Sequence, residues 1–375
     1  MQTIGILGSG QLGRMMALAA KQLGYQVHVY SPESDSPCGQ VADEQTIAAY
    51  EDQRALENFA RQVNIVTFEF ENIPVEALRA VEHLVPVYPD PSVLHIAQNR
   101  VREKNYLYEL GFAVTPFYPV HSEVDLQTGI QKLGLPAVLK TAGQGYDGKG
   151  QVVIEDPSET HAVWRELNTP EAILEQFIDY EMEISVIGTR GQNGQFTHFG
   201  VIENHHKNHI LDVSIAPAGL SEALQQEAIS ICERLMKELN MTGTLCIEFF
   251  VTPDQKLLIN ELAPRPHNSG HLTMDACVTG QFEQHIRAVC GLPLGSTQYA
   301  HAAAMVNLLG DAWLAGEPDW TGILSHPNTK LHLYGKREAR AGRKMGHITI
   351  LTKTPDKARE QAAAIQAVLK QVVCI

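Results

Sequence analysis

Two carboxylates sit where an apolar hairpin has little room for them. Leu245-Cys246-Ile247-Glu248-Phe249-Phe250-Val251 and Leu257-Leu258-Ile259-Asn260-Glu261-Leu262 are apolar runs joined by Thr252-Pro253-Asp254-Gln255-Lys256, a pattern that reads as a β-hairpin. Burying an unpaired carboxylate is costly, so Glu248 and Glu261 in one hairpin call for a shared counter-ion. Magnesium bridging nucleotide phosphates takes one or two protein carboxylates and suits the pair. A strand with one solvated face would instead expose both.

Two glycine-rich turns bear on phosphate chemistry. Gly8-Ser9-Gly10-Gln11-Leu12-Gly13 follows a strand-like run and opens a helix, the setting in which backbone N–H groups hold an anion. A nicotinamide enzyme of this kind places an acid about 20 residues on, at the end of the second strand. Here Tyr30 leads into Ser31-Pro32 and the first acid is Glu33, so the turn reads as a phosphate holder rather than a dinucleotide site. The second turn runs from Gly143 to Gly150 and contains G-x-x-x-x-G-K. Gly150 stands where a P-loop needs Ser or Thr, and a strand follows, so the expectation is a glycine hairpin that folds over phosphates as a lid.

Lys140 ends an apolar run directly before that lid and is placed to meet phosphate oxygens, or to snorkel at a strand end. Glu175-Gln176-Phe177-Ile178 ends another strand and Glu183 lies on the next; an adenine needs edge hydrogen bonds and a ribose diol a carboxylate acceptor, although surface glutamates would look the same. His205, His206 and His209 raise the question of zinc, but adjacent histidines point apart on a strand and no helical H-E-x-x-H is present, so a nucleotide contact from His206 is the better reading.

The elements that must position these groups come in three blocks. Strand (Thr3 to Leu7), helix (Gln11 to Leu23), strand (Gln26 to Tyr30) and a later run at 64–70 alternate as a parallel, doubly wound sheet does, ending near Val93. Prolines 86, 89 and 91 precede a polar helix from Ser92 to Glu109 that carries Asn99, Arg100, Arg102 and Lys104. From Pro116 to Phe250 the signals are mostly short strands (136–140, 151–154, 172–176, 181–187, 197–202), with a helix over Ser221 to Leu239. The last block has strands at 330–334 and 347–351 and a closing helix from Pro355 to about Leu369.

A net charge of −14 argues against nonspecific nucleic-acid binding. Residues 330–370 nevertheless hold ten Lys or Arg against three Asp or Glu, and Lys336, Arg337, Arg340, Arg343 and Lys344 crowd among Gly335, Gly342 and Gly346. That is a loop between strands suited to a small anion, unless it is a solvated face. Six cysteines without a C-x-x-C pair, no bilayer-length apolar run and no basic leader fit a reduced cytoplasmic enzyme, not a membrane protein.

Assembled, a lysine before a glycine lid, a hinge Glu-Gln-x-Ile and a hairpin with two glutamates resemble the ATP-grasp superfamily over the whole chain. The likeness sharpens at Asn260 to His271. With Gly8 to Arg14, Phe68-Glu69-Phe70-Glu71-Asn72, Gly145 to Gly150 and Gly342 to His347, it is similar to the branch that carboxylates 5-aminoimidazole ribonucleotide in bacterial purine biosynthesis. The resemblance implies an α/β and α+β architecture: an N-terminal Rossmann-like domain (1–97), an ATP-grasp domain (98–300) with a lid subdomain near 115–190, and a small β-rich C-terminal domain (301–375).

For ATP the resemblance implies Arg100, Lys140, the lid residues Gly145, Tyr146, Asp147, Gly148, Lys149, Gly150 and Gln151, the hinge Glu175, Gln176, Phe177 and Ile178, and also Glu183, His206, Asn260 and Glu261. Glu248 and Glu261 would hold magnesium or manganese. Many relatives carry an Asn two residues after the second glutamate; here that position is Ala263. Arg265, His267 and Asn268 would act on bicarbonate, with Ser269 as a donor, and Asp147 would orient the amine. Gln11, Leu12, Glu69 or Glu71, Lys336 and Arg343 would bind the ribonucleotide. The reaction implied joins bicarbonate to the exocyclic amine through carboxyphosphate, splitting ATP to ADP and phosphate, in a homodimer.

Overall fold

Alternating apolar strands and amphipathic helices build the first layer. The computed structural model describes residues 2–143, 150–314 and 316–371. It begins β1 (Thr3–Leu7), α1 (Gln11–Gln22), β2 (Gln26–Ser31), β3 (Glu44–Ile47), α2 (Gln53–Ala60), β4 (Ile65–Phe68) and α3 (Val75–Glu82). The strands pair in parallel in the order β3-β2-β1-β4, the doubly wound pattern expected from the sequence. In α1, Leu12, Met15, Met16, Ala19 and Ala20 recur at helical spacing and are buried, and the helix stops at Gly24, which takes φ +85°.

The single polar helix expected over 92–109 is two: α4 (Pro91–Ala97) and α5 (Arg100–Glu109). Asn99 is the cause. Its backbone is extended, its Oδ1 accepts the Arg102 N–H at 2.9 Å and its Nδ2 donates to Glu171 at 2.6 Å, so it starts a new helix. This break aims Arg100, Glu103 and Lys104 along one face of α5.

A second sheet contains β5 (Phe117–Val120), α6 (Glu123–Leu133), β6 (Ala137–Thr141), β7 (Gln151–Ile154), α7 (Thr160–Leu167) and β8 (Ala172–Gln176), with antiparallel order β5-β8-β6-β7. β6, β7 and β8 lie where the sequence places them, but β5, α6 and α7 were not expected. Ser122 caps α6 through the Asp125 N–H, and Gly134 at φ +81° closes it.

The remaining elements are β9 (Met182–Arg190), β10 (Phe196–Lys207), β11 (Ile210–Ala216), α8 (Glu222–Glu238), β12 (Gly243–Val251), β13 (Leu257–Ala263), α9 (Thr273–Ala276), α10 (Gln281–Val289), β14 (Ala302–Leu309), α11 (Trp320–Leu324), β15 (Thr329–Leu333), β16 (Lys344–Thr352) and α12 (Pro355–Gln371). Their strands form one eight-stranded sheet, ordered β13-β12-β9-β10-β11-β14-β16-β15. One core packs α8 on β9, β12 and β13 through Leu224, Leu235, Ile184, Ile247 and Ile259; another packs α12 on β14 and β16 through Val306, Ile348, Ala358 and Ile365. The segment from 301 onward is thus joined to the rest by continuous β-ladders, not by a linker.

Candidate active site

The glutamate hairpin forms as expected, β12 with β13. Glu248 and Glu261 face each other in register, and a bulge follows directly between Glu248 and Phe249. Burial and then the charge of Glu261 push the Glu248 carboxyl up to about 8. Glu261 goes the other way: burial opposes its charge, but Arg100, with Nη1 at 2.8 Å from Oε2, holds it well below the usual carboxylate range. A facing pair of hard oxygen donors, one driven to keep a proton, is a donor set that magnesium fits. Beside it, Asn260 Oδ1 is shut from solvent without a partner among the described residues.

Opposite the hairpin stands the second sheet. Lys140 on β6 ends with its ammonium 2.5 Å from Glu175 Oε2, and Lys104 from α5 lies 3.5 Å from Glu175 Oε1. Glu175 is therefore no surface residue: it is buried on β8, and, against burial, its lysine partners lower its carboxyl to about 2. Gln176 and Phe177 leave the sheet exposed, with the Phe177 N–H bonded to Pro136 O at 3.2 Å. The lid residues Gly145, Tyr146, Asp147, Gly148 and Lys149 lie outside the described residues. At the lid's end Gly150 takes φ +73° and its carbonyl accepts from Thr141 N at 2.8 Å, while Gln151 bonds His209 at 3.1 Å.

The histidine run is split by the pleat of β10. His206 pairs with Glu183 on the neighbouring strand, and this contact raises its pKa although burial opposes that. His205 instead bonds Glu203 at 2.7 Å, so the three histidines do not converge.

Beyond the hairpin, residues 265–271 fold into a tight loop against the sheet. The Arg265 guanidinium lies 2.5 Å from Glu71, which raises its pKa against the effect of burial. His267 is enclosed, and burial, then Arg265 and Lys344, hold it neutral. The Ser269 N–H donates to its Nδ1 at 3.3 Å, which assigns the ring proton to Nε2, 3.5 Å from Glu248 Oε1. Gln281, at the start of α10, clamps the His267 backbone from both sides, accepting from its N–H at 2.9 Å and donating to its carbonyl at 2.7 Å. Nothing local in the sequence marks Gln281; only the fold brings it there. Asn268 Nδ2 and Arg265 Nε are buried and unpartnered among the described residues, as groups awaiting a ligand would be.

The first glycine turn differs from expectation. The anion at the head of α1 is the protein's own Glu69, which accepts from Gly10 N at 2.5 Å and Gly13 N at 2.9 Å. Gln11 remains partly accessible at this turn, whereas the Leu12 side chain is in the core. The basic loop is indeed a loop between β15 and β16, and it meets the segment after β2 that packs on this turn through Cys38 N to Ser9 O: Gly335 O accepts from Gln40 Nε2, and Arg337 pairs with Asp35. Lys336 Nζ donates to Lys344 O at 2.7 Å and Arg343 Nη1 to Glu338 O at 2.8 Å.

Comparison with known proteins agrees with this layout. Family models match a ribonucleotide synthetase preATP-grasp domain over residues 1–98, an ATP-grasp domain over 105–282 and a phosphoribosylaminoimidazole carboxylase C-terminal domain over 303–361. An N5-carboxyaminoimidazole ribonucleotide synthase of Bacillus subtilis is 47% identical over 354 residues, covering 94% of this chain and 92% of its own. A crystal structure of an N5-carboxyaminoimidazole ribonucleotide synthetase in complex with ADP superposes with a TM-score of 0.94 at 44% identity, covering 99% of this chain and 97% of that one. An Aspergillus clavatus synthase in complex with ADP and 5-aminoimidazole ribonucleotide gives 0.91 at 27% identity, covering 99% of each. With an identity this high over nearly the full length of both chains, and with the three matching domain models in order, the chain belongs to the N5-carboxyaminoimidazole ribonucleotide synthase family of ATP-grasp ligases.

Proposed function

We propose that this chain uses ATP to join bicarbonate to the amine of 5-aminoimidazole ribonucleotide, giving the N5-carboxy product, ADP and phosphate in purine biosynthesis. The observation that carries the reading is two sheets held against each other by α5, with Lys140 and Glu175 on one wall and the facing Glu248 and Glu261 on the other. ATP lies between the walls, its adenine at the exposed strand end Gln176 to Ile178, its ribose near Glu183, and its phosphates toward Lys140 and Arg100. Magnesium held by Glu248 and Glu261 would offset charge on the transferring phosphoryl group.

Bicarbonate is a poor electrophile, and its activation to carboxyphosphate needs a dry, cationic pocket. Arg265 supplies a fixed positive charge. Neutral His267, with its proton on Nε2, and Asn268 Nδ2 supply donors for the oxygens. The ribonucleotide comes from the side of the Gly8–Gly13 turn, with Glu69 or Glu71 toward its amine and Lys336 and Arg343 at its phosphate. The lid from Gly145 to Gly150, with Asp147, shields the acyl phosphate from water. The same reading has the protein work as a homodimer in the cytoplasm; among the described residues no helix is long and apolar enough to cross a membrane.

Phosphate release from ATP tests the reading. It should require bicarbonate and rise on adding aminoimidazole ribonucleotide, with stoichiometric carboxylated product trapped from labelled bicarbonate. ATP splitting that ignores both substrates would overturn it.

A further inference from the structure

Lys104 is a full charge with almost no access to water. Its side chain is 1% exposed, in the middle of α5, and sequence patterning alone would place it on a polar helix face. The charge is costly there, and burial lowers the pKa of its ammonium. Its contacts define what it does. Nζ donates to the Ile259 carbonyl at 2.9 Å, one residue before Asn260 on β13, and lies 3.5 Å from Glu175 Oε1 on β8. It is thus a bridge between the two walls of the nucleotide cleft. Its neighbours on α5 brace the same line: Arg100 reaches Glu261, Glu103 Oε2 accepts from Leu262 N at 3.3 Å, and the Arg100 N–H bonds Ala142 O at 2.7 Å.

The arithmetic of charge on Glu175 gives the bridge a second role. One carboxylate serves two ammonium groups, Lys140 on Oε2 and Lys104 on Oε1. Were Lys140 its sole partner, the two charges would cancel and Lys140 would offer phosphate only a neutral pair. With Lys104 taking a share of the carboxylate, the trio keeps a net positive charge, and Lys140, the less enclosed of the two at 14% exposure, is where an anion meets it.

We infer that Lys104 is a positioning residue for ATP: its buried ammonium shares Glu175 so that Lys140 stays electropositive toward the nucleotide phosphates, and it pins the metal hairpin to the opposing sheet. The inference rests on the reading of Lys140 as a phosphate contact.

The test is steady-state kinetics on the full-length protein with Lys104→Met, which keeps the length of the side chain, and Lys104→Gln, which keeps a donor for Ile259 O without the charge. Both should raise KM for ATP about tenfold and leave KM for aminoimidazole ribonucleotide within about twofold, Lys104→Gln melting at a higher temperature than Lys104→Met. Adding Glu175→Gln to either should lower the ATP KM again, because Lys140 is then freed of its counter-charge. A packing role predicts the opposite, with the second substitution making matters worse. If Lys104→Met does not fold, Lys104→Gln carries the comparison. An unchanged ATP KM in Lys104→Gln, or a further rise in the double variant, overturns the inference. Lys140→Ala separates the two levels: if it leaves ATP binding intact the phosphate reading of Lys140 fails, and if it weakens ATP while the Lys104 variants do not, only the role of Lys104 falls.

Discussion

Glu71, in the connection after β4, holds Arg265 across the boundary between the N-terminal sheet and the loop at 265–271, Oε1 to Nη2 at 2.5 Å. The counter-charge of the arginine proposed to bind bicarbonate thus comes from another part of the chain. Glu71→Gln should leave Arg265 free to swing and raise KM for bicarbonate about tenfold, with KM for ATP little changed; charged hydrogen bonds of this kind contribute roughly 1.5–3 kcal/mol. Equal rises for both substrates would show that Glu71 supports the fold and not the arginine.

Glu248→Gln and Glu261→Gln should each lower kcat by about 10²-fold or more, since each removes an oxygen donor from the pair proposed to hold magnesium at the transferring phosphoryl group. The two should differ in magnesium dependence. Glu261 also anchors Arg100, so its loss should weaken ATP as well as the cation, whereas Glu248→Gln should be partly relieved by excess magnesium. Full turnover in either variant at limiting magnesium would exclude the hairpin as a metal site.

Arg343→Ala should raise KM for aminoimidazole ribonucleotide and leave KM for ATP alone. A lost charged contact to a phosphate dianion predicts a fall in kcat/KM of about one to two orders of magnitude. No effect on either substrate would make the positive loop after β15 a solvated surface.

Acid should loosen the docking of α12. Glu203, buried on β10, accepts from Arg359 Nη2 through both oxygens, at 3.0 and 2.9 Å, and from His205. The His205 contact, more than Arg359, lowers its carboxyl below the usual value of 4.5. A lowered carboxyl stabilises the fold above the unfolded pKa, and that contribution is lost as pH falls through the folded one. Glu203→Gln should therefore lower the melting temperature at pH 7 by an amount equivalent to about 1–2 kcal/mol, modest because Arg359 is half exposed, and the gap to the parent should close below about pH 4.5. A gap that stays constant from pH 7 to pH 3.5 would contradict this.

Much of the architecture was legible where local pattern and tertiary role coincide. The runs that became β1, α1, β2, β7 and β8 have clear periods and glycine or proline punctuation, and the hairpin was marked by its two misplaced acids. Illegible were elements whose character depends on what they meet. β14, Ala-Ala-Ala-Met-Val-Asn-Leu-Leu, has a composition that serves a helix as well as a strand and is extended because β11 and β16 flank it. α10 hides polar Gln281, Gln284 and His285, whose partners at His267, Gly295 and Thr67 are distant or unmarked in the chain. Glu69 and Glu175 read as candidate ligand contacts, and only the folded chain shows one capping α1 and the other shared by two lysines.

The eight-stranded sheet has a practical corollary for anyone trimming this protein. β11 is paired along one edge by β14, so a chain cut near residue 300 would leave a bare, apolar-flanked strand in the middle of what had been a sheet. Such a fragment should aggregate instead of surviving as a smaller nucleotide-binding module. For the same reason the last fifth of the chain is poorly suited to swapping between relatives as a cassette: each graft would have to reproduce the register of Val213 against Val306 and Ile215 against Ala304 before any chemistry was possible.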